Sequence, residues 1–262
     1  MEAKDFINAA KQSMNIEDLL KAASLLGASD LHLRAASRPN LRIHGKLKAI
    51  QEQPILTPEQ TRNIVDNFNN EVQKSQNQKK LDLDMAYSIK AFGRFRASIY
   101  YQRGSLAMVW RIIPVKAKTI RELLLPLVLE KIALEQRGLV LVTGATGSGK
   151  TTTLSAMVDH INSHRSANII TLEDPIECIH PDKKCTISQR DVGIDVISFA
   201  RGLSAALRED PDVIMVGSMR SVETIETVLL AAETGHLVLS CVHTQDAPEA
   251  INRITSLFDP HK

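Results

Sequence analysis

Residues 16 to 26, IEDLLKAASLL, set Ile16, Leu19, Leu20, Ala23 and Leu26 at helical spacing, and Gly27 stands where a C-terminal cap is wanted. The pattern predicts an amphipathic helix. After it the period falls to two: DLHLR and NLRIHGKLKAI alternate apolar and polar residues around a His44-Gly45 turn, which predicts half-buried strands. A second helix opens at TPEQ, where Thr57 can cap, Pro58 fits the first turn and Gln60 completes a capping box. The polar tract NNEVQKSQNQKK reads as its solvated end and a loop. From Asp82 to Ile113, three strand-like segments broken near Phe92-Gly93 and Arg103-Gly104 predict an antiparallel meander.

Pro114 and VKAKT interrupt this pattern, which places a domain boundary near residue 115 and divides the chain into residues 1–115 and 116–262. IRELLLPLVLEKIALEQR resumes with helical character, kinked near Pro126. Continuous apolar strands are then predicted at 138–143, 168–172, 184–188, 212–217 and 237–242, alternating with helices and loops. That order argues for an α/β fold, a mainly parallel sheet with helices on both faces. The last predicted helix can be capped by Asp246 and Glu249.

Composition sharpens the picture in three places. A length of 262 residues supports two domains, and 32 Lys and Arg against 30 Asp and Glu give no electrostatic footprint for nucleic acid or an anionic membrane. Cys178, Cys185 and Cys241 lack zinc-type spacing, so reduced, mostly buried thiols in a cytoplasmic protein are expected. The N-terminus has no apolar signal region and no run of about 18 apolar residues occurs. The expectation is a soluble chain without direct membrane insertion, linked to any membrane through partners.

GLVLVTGATGSGKTTTLSAMV matches G-x-x-x-x-G-K-[ST] in full, from Gly144 through Ala145, Thr146, Gly147 and Ser148 to Gly149, Lys150 and Thr151, with Thr152 following. A strand is predicted before it and a helix after it. Glycines let backbone N–H groups turn inward on phosphates, Lys150 supplies a cation to the β and γ oxygens, and the Thr151 hydroxyl can ligate Mg²⁺. ATP or ADP with Mg²⁺ is the ligand this chemistry points to; a turn that merely connects elements is the alternative. In IITLEDPIE, Glu173, Asp174 and Glu177 follow a strand expected beside the phosphate-loop strand, at the carboxyl end where an α/β sheet gathers ligands. Asp174-Pro175 could equally just start a turn. His236 and His243, seven apart across a strand, fall on opposite faces if extended, which argues against a shared metal and leaves packed or solvated residues as the plain reading. Arg94 and Arg96 share one strand face and, with Arg103 and Arg111, offer planar donors suited to phosphates or simply a solvated sheet face.

In combination, GATGSGKTTTLSAM, ITLEDPIE, LREDPDVIMVG, AAETGHLVLSCVHT and DLDMAYSIKAFGRFRASIYYQRG, in that family's order, resemble the PilT-like retraction ATPases of type IV pili, within the type II and type IV secretion ATPase group. The resemblance runs from about Ala28 to Pro260. It implies a PAS-like α+β N-terminal domain, a RecA-like P-loop core, a hexameric ring, an inner-membrane pilus platform protein as partner, and a cytoplasmic place peripheral to that membrane. It makes the acids of EDPIE, chiefly Glu177, the family's Asp box, and His236 and His243 its His box. Arg94, Arg96, Arg103 and Arg111 then lie in the region whose arginines reach the phosphates.

Two departures stand out. Where the family reads VGEMRD this chain reads VGSMRS, so Ser218 and Ser221 stand in place of two acids, the first of which would handle the attacking water and metal. The sequence also ends at SLFDPHK, without the family's helical C-terminal region. A positioned base contributes about 10²–10⁴-fold in rate. Ser218 cannot be that base at neutral pH, so nucleotide binding is expected to survive and hydrolysis to be slow. A retraction motor is the leading expectation, and a hydrolysis-deficient partner or regulator of a pilus or secretion motor is the alternative. A nucleic-acid motor would need a basic track or stacking aromatics, and aromatics make up only 4% of the chain. A small-molecule phosphotransferase leaves the arginine-bearing domain without a role.

Overall fold

The structure, a computed structural model, describes residues 2–13, 15–68, 82–90, 92–114 and 117–258, and these divide between two compact units, Met1–Pro114 and Val115–Lys262. The polar tract after the second predicted helix lies outside the described residues.

The first unit contains α1 (Ala3–Ser13), α2 (Ile16–Leu25), β1 (Asp30–Arg34), β2 (Asn40–Ile43), β3 (Lys46–Ala49), α3 (Pro58–Phe68), β4 (Asp82–Ile89), β5 (Gly93–Gln102) and β6 (Ser105–Ile113). Its strands pair antiparallel throughout, in the order β3-β2-β1-β6-β5-β4. Alternation fixes the register: Phe95, Ala97 and Ile99 of β5 enter a core with Leu31, Leu33, Met108, Trp110 and the helical Leu19 and Leu20. The opposite face carries Arg94 and Arg96. Helix α3 is capped reciprocally, Thr57 N donating to Gln60 Oε1 at 2.9 Å and Gln60 N to Thr57 Oγ1 at 3.2 Å. The β2–β3 connection is a two-residue hairpin with φ positive at both His44 (48°) and Gly45 (77°), the geometry that matches strand twist.

The second unit contains α4 (Val128–Ala133), β7 (Gly138–Thr143), α5 (Lys150–His164), β8 (Asn168–Glu173), β9 (Thr186–Asp191), α6 (Phe199–Ala206), β10 (Val213–Val216), α7 (Val222–Glu233), β11 (Leu237–Val242) and α8 (Ala247–Thr255). Its five strands are all parallel, in the order β7-β11-β10-β8-β9. The fully buried β10 shows why its sequence is continuously apolar. Val213 and Met215 join the core under α5, whereas Ile214 and Val216 join the core under α6 and α7.

Three sequence expectations are corrected. Residues 120–125 form a turn rather than a helix, because Leu124 adopts left-handed φ (54°) and Pro126 follows, so the helix begins only at Val128. Strand β9 runs from Thr186 to Asp191, two to three residues beyond the predicted span. Strand β8 does not lie beside β7, since β11 and β10 separate them.

Candidate functional site

The loop between β7 and α5 is shaped by its glycines. Gly144, Gly147 and Gly149 have φ of 149°, 81° and 95°, and a Cβ on Gly144 would stand 2.5 Å from Ser148 Oγ. Gly149 is the N-cap of α5 and provides no side-chain acceptor, so the first-turn N–H groups of the helix face the loop without a side-chain cap. Lys150 is buried, and its ammonium donates to the carbonyl oxygens of Gly144 and Ala145, both at 2.8 Å. Backbone donors and a cation therefore converge where an anion can compete for them.

A cavity of about 380 Å³ opens over this loop at the carboxyl end of the sheet. Thr146, Gly147, Gly149, Lys150, Thr151 and Thr152 line one side; Glu173, Asp174, Glu177, Gly217, Ser218, Arg220, Cys241 and His243 contribute elsewhere. Gly217 allows the close approach of two chains here, because a Cβ on it would lie 3.3 Å from the Leu172 carbonyl oxygen and 3.5 Å from Glu173 Cα. Although β8 is two strands away from β11, which neighbours the loop strand, its acids still reach the same cavity.

Glu173 is held from below. Thr171 Oγ1 donates to its Oε1 at 2.7 Å and Gln189 Nε2 at 3.0 Å, while the same Gln189 nitrogen donates to Cys178 O at 2.8 Å. Burial raises the Glu173 carboxyl above its ordinary range, and the two hydrogen bonds oppose that shift. The pKa of His243 is lowered by partial burial and by the positive charges of Lys150 and Arg220, which keeps its imidazole neutral near pH 7. Arg220 Nε donates to Ser218 Oγ at 3.0 Å. Ser221 has a structural role: its Oγ accepts from Thr224 N at 3.2 Å and caps α7.

Not every predicted site residue joins this cavity. Gly144, Ala145 and Ser148 shape the loop without lining the cavity. His236 lies at the amino end of β11, where its Nδ1 meets Ala231 O at 2.9 Å and ties off α7; seven strand residues put it roughly 20 Å from His243. In the first unit, Arg96 stands opposite Arg111 in register, and Arg94 shares their end of the sheet, opposite Ile113. Arg103 sits in the β5–β6 turn at the far end of the same strands. Arg96 pairs with Asp84 at 3.5 Å and Arg111 with Asp30 at 3.2 Å. Sequence reasoning missed Arg220, Cys241 and Gln189; only Arg220 carried a local signal, as the cation two positions after Ser218.

With the geometry in hand, comparison with known proteins assigns the chain. The type II/IV secretion system protein family matches residues 8–259. The chain is 42% identical over 245 residues to the Type IV pilus retractation ATPase PilT of Pseudomonas aeruginosa, covering 94% of this chain and 71% of that protein. It is equally 42% identical to the Type IV pilus ATPase PilU of the same organism, of which it covers 64%. A crystal structure of the pilus retraction motor PilT with bound ADP superposes with a TM-score of 0.88 at 45% identity, covering 95% of this chain and 72% of that one. The Legionella pneumophila ATPase DotB superposes with a TM-score of 0.77 at 27% identity, covering 93% and 69%. The parallel sheet and phosphate loop are thus the RecA-like core of this group, and the chain belongs to the type II/IV secretion system protein family, among its PilT-like ATPases.

Proposed function

We propose that this chain is a nucleotide-driven motor subunit of pilus retraction, built to bind Mg-ATP and to hydrolyse it slowly. The observation that carries the reading is the convergence of the glycine loop, Lys150, the EDPIE acids and His243 on one cavity. Resemblance to PilT and PilU supports the pilus as the machine served, and the N-terminal, PAS-like domain, the hexameric ring, the inner-membrane platform partner and the cytoplasmic location follow the same pattern. Among the described residues no helix is long and apolar enough to cross a membrane.

The residues present fit a triphosphate and its cation. Loop amides and the α5 N-terminus receive phosphate oxygens, and Lys150 exchanges its two carbonyl partners for the β and γ oxygens. Thr151 in the first turn of α5 would hold Mg²⁺, with Glu173 and Glu177 lining the same cavity as further oxygen donors. When bound, the ion neutralises charge on the transferring phosphoryl group. Phosphoryl transfer depends on positioning and electrostatics, with a base or water-orienting group worth roughly 3–5 kcal/mol. Ser218 supplies no such base and its hydroxyl is occupied by Arg220. Glu173 and Glu177 are the remaining acids able to orient water. His243, neutral and beside Lys150, is placed to sense the terminal phosphate.

A hydrolysis-deficient partner of a pilus or secretion motor is the second reading, and the Ser218–Arg220 bond favours it. Titration of a fluorescent ATP or ADP analogue into the protein and its Lys150→Ala variant tests the binding half. Lys150 should contribute on the order of 1.5–3 kcal/mol, about 10- to 100-fold in affinity. Equal affinity in the two proteins would remove the phosphate-loop assignment. Steady-state phosphate release then separates a slow motor from an inert partner.

A further inference from the structure

The far end of α5 carries a second cluster that the nucleotide chemistry does not use. His160 and His164 are one helical turn apart, with ring centroids 4.1 Å apart and planes inclined by 26°. They border a cavity of about 250 Å³ together with Glu130 of α4, Asp159 and Ser163. His160 lies ten residues past Lys150, about 15 Å along the helix axis from the phosphate loop.

The hydrogen bonds fix which ring nitrogens are available. His164 Nδ1 meets the His160 carbonyl oxygen at 2.8 Å; a carbonyl only accepts, so Nδ1 carries the proton and Nε2 keeps its lone pair. This is the arrangement by which a backbone carbonyl orients an imidazole for a metal. Neither ring nitrogen of His160 has a hydrogen-bond partner among the described residues. Across the cavity Glu130 is held by Arg121 through two bonds, 2.8 and 3.1 Å, and Asp159 is engaged by Lys183 at 2.7 Å.

We propose that His160 and His164 form a two-histidine chelate for a divalent transition-metal ion of the zinc, nickel or copper class, with Glu130 as the carboxylate that can complete it. Imidazole nitrogens suit these ions, and histidines at i and i+4 present both donors from one helix face. A metal–nitrogen distance of about 2.0–2.1 Å requires the two nitrogens to come nearer than the present ring separation. His160, whose ring nitrogens carry no hydrogen bond among the described residues, can supply that adjustment by turning about its side-chain torsions while the His164 Nδ1–carbonyl bond is kept. Among the described residues no three His, Cys, Asp or Glu side chains are already grouped around a metal position. The chelate is therefore an exchangeable one, with water in its open positions and Glu130 joining by release from Arg121. Two imidazoles on one helix face beside the carboxylates of Glu130 and Asp159 point to a cation rather than an anion as ligand.

The test uses the untagged chain and Zn²⁺ in competition with a chromophoric chelator, with Co²⁺ absorption reporting the donor set. One Zn²⁺ per chain is expected, with affinity falling at least about tenfold in His160→Ala and in His164→Gln, and by about tenfold in Glu130→Gln. A double variant, Ser163→His with His164→Ser, keeps all eight histidines of the chain and breaks only the spacing. It should bind as weakly as His164→Gln. Nucleotide affinity, read on the same samples, should be unchanged and shows that each variant is folded. Zn²⁺ binding that persists at full affinity in His164→Gln or in the spacing variant would place the ion on other histidines or cysteines and overturn the proposal. Absence of one-to-one binding in the parent protein would do the same.

Discussion

Arg220 Nε donates a 3.0 Å hydrogen bond to Ser218 Oγ inside the cavity that carries the phosphate loop. Ser218 is buried while Arg220 is exposed, so the guanidinium that now meets a neutral hydroxyl would meet a carboxylate if residue 218 were an acid. Ser218→Glu should therefore insert a paired, ionised base without new burial of an isolated charge. Turnover should rise about 10²-fold while nucleotide affinity changes little, because a base acts mainly in the transition state. An acid at position 221 is compatible with the fold, since Asp caps a helix as well as the Ser221 it would replace. If neither Ser218→Glu nor the Ser218→Glu/Ser221→Asp pair releases phosphate faster than the parent, the absence of acids at 218 and 221 does not limit this protein.

His180 supplies a prediction about pH. Its Nε2 lies 3.1 Å from Ser155 Oγ of α5, its Nδ1 is buried without a partner among the described residues, and burial pulls its pKa down to about 4. The unfolded chain, with an ordinary histidine near 6.5, binds the proton more tightly than the folded one. Stability contributed by neutral His180 is thus complete above about pH 6.5 and is lost as pH falls toward 4. Between pH 7 and 5 the loss should be about 2 kcal/mol in urea unfolding. Glu173 acts oppositely, since its raised pKa makes the folded state the tighter proton binder above the ordinary carboxylate value. The difference between parent and His180→Gln isolates the histidine; equal pH slopes in the two would show that His180 does not titrate with unfolding.

Gly202 tests how tightly the sheet under the acidic loop is packed. It lies inside α6, where alanine would gain about 1 kcal/mol of helix propensity. Yet a Cβ there would stand 2.9 Å from Leu172 Cδ2 and 3.2 Å from Val196 Cγ2, both buried. Overpacking of this kind costs about 1–3 kcal/mol, so Gly202→Ala should be destabilising on balance by roughly 1 kcal/mol. Because Leu172 precedes Glu173, nucleotide affinity or turnover should fall with it. A variant with a higher urea midpoint would mean that the layer yields more readily than the contacts imply.

What was legible in the sequence was what the chain settles locally. The phosphate loop closes within seven residues, and its glycine φ values and Lys150 contacts involve no distant element, so a motif sufficed. The capping box of α3 and the paired hairpin turns are similarly local. Strand order was not legible: β7, β8, β10 and β11 are each apolar throughout or nearly so, and nothing in their periodicity tells which are neighbours. Helix α1 escaped because the N-terminus was read for targeting signals alone, although Phe6 and Ala10 are buried among the first unit's core residues. Gln189, which braces Glu173 from the adjacent β9, and Cys241 could be found only once the strands were paired.

The last prediction concerns the arginine-bearing sheet. Register sets Arg96 opposite Arg111, Arg111 opposite Asp30 and Asp30 opposite Arg42, so one row across three strand pairs holds three guanidinium groups and a single carboxylate. Like charges placed directly opposite cost stability, and the exposed Arg96–Asp84 pair at 3.5 Å is worth at most about 1 kcal/mol, whereas Arg111 is held at 3.2 Å by the buried Asp30. A terminal phosphate could therefore draw Arg96 away at small cost and Arg111 at a larger one. Charge that responds to the γ-phosphate discriminates ATP from ADP. Arg94→Ala, Arg96→Ala and Arg111→Ala should each weaken ATP by about 10-fold or more, the worth of a charge-assisted hydrogen bond of roughly 1.5–3 kcal/mol, while ADP affinity changes by less than about threefold. Arg96→Lys should recover only part of the loss, because a point charge does not reproduce the planar fork. Titration of both nucleotides at equal Mg²⁺ reads the difference directly. Equal losses for ATP and ADP, or none, would leave these arginines as the solvated face of a sheet, and the terminal phosphate would then be recognised by Lys150, Arg220 and His243 alone.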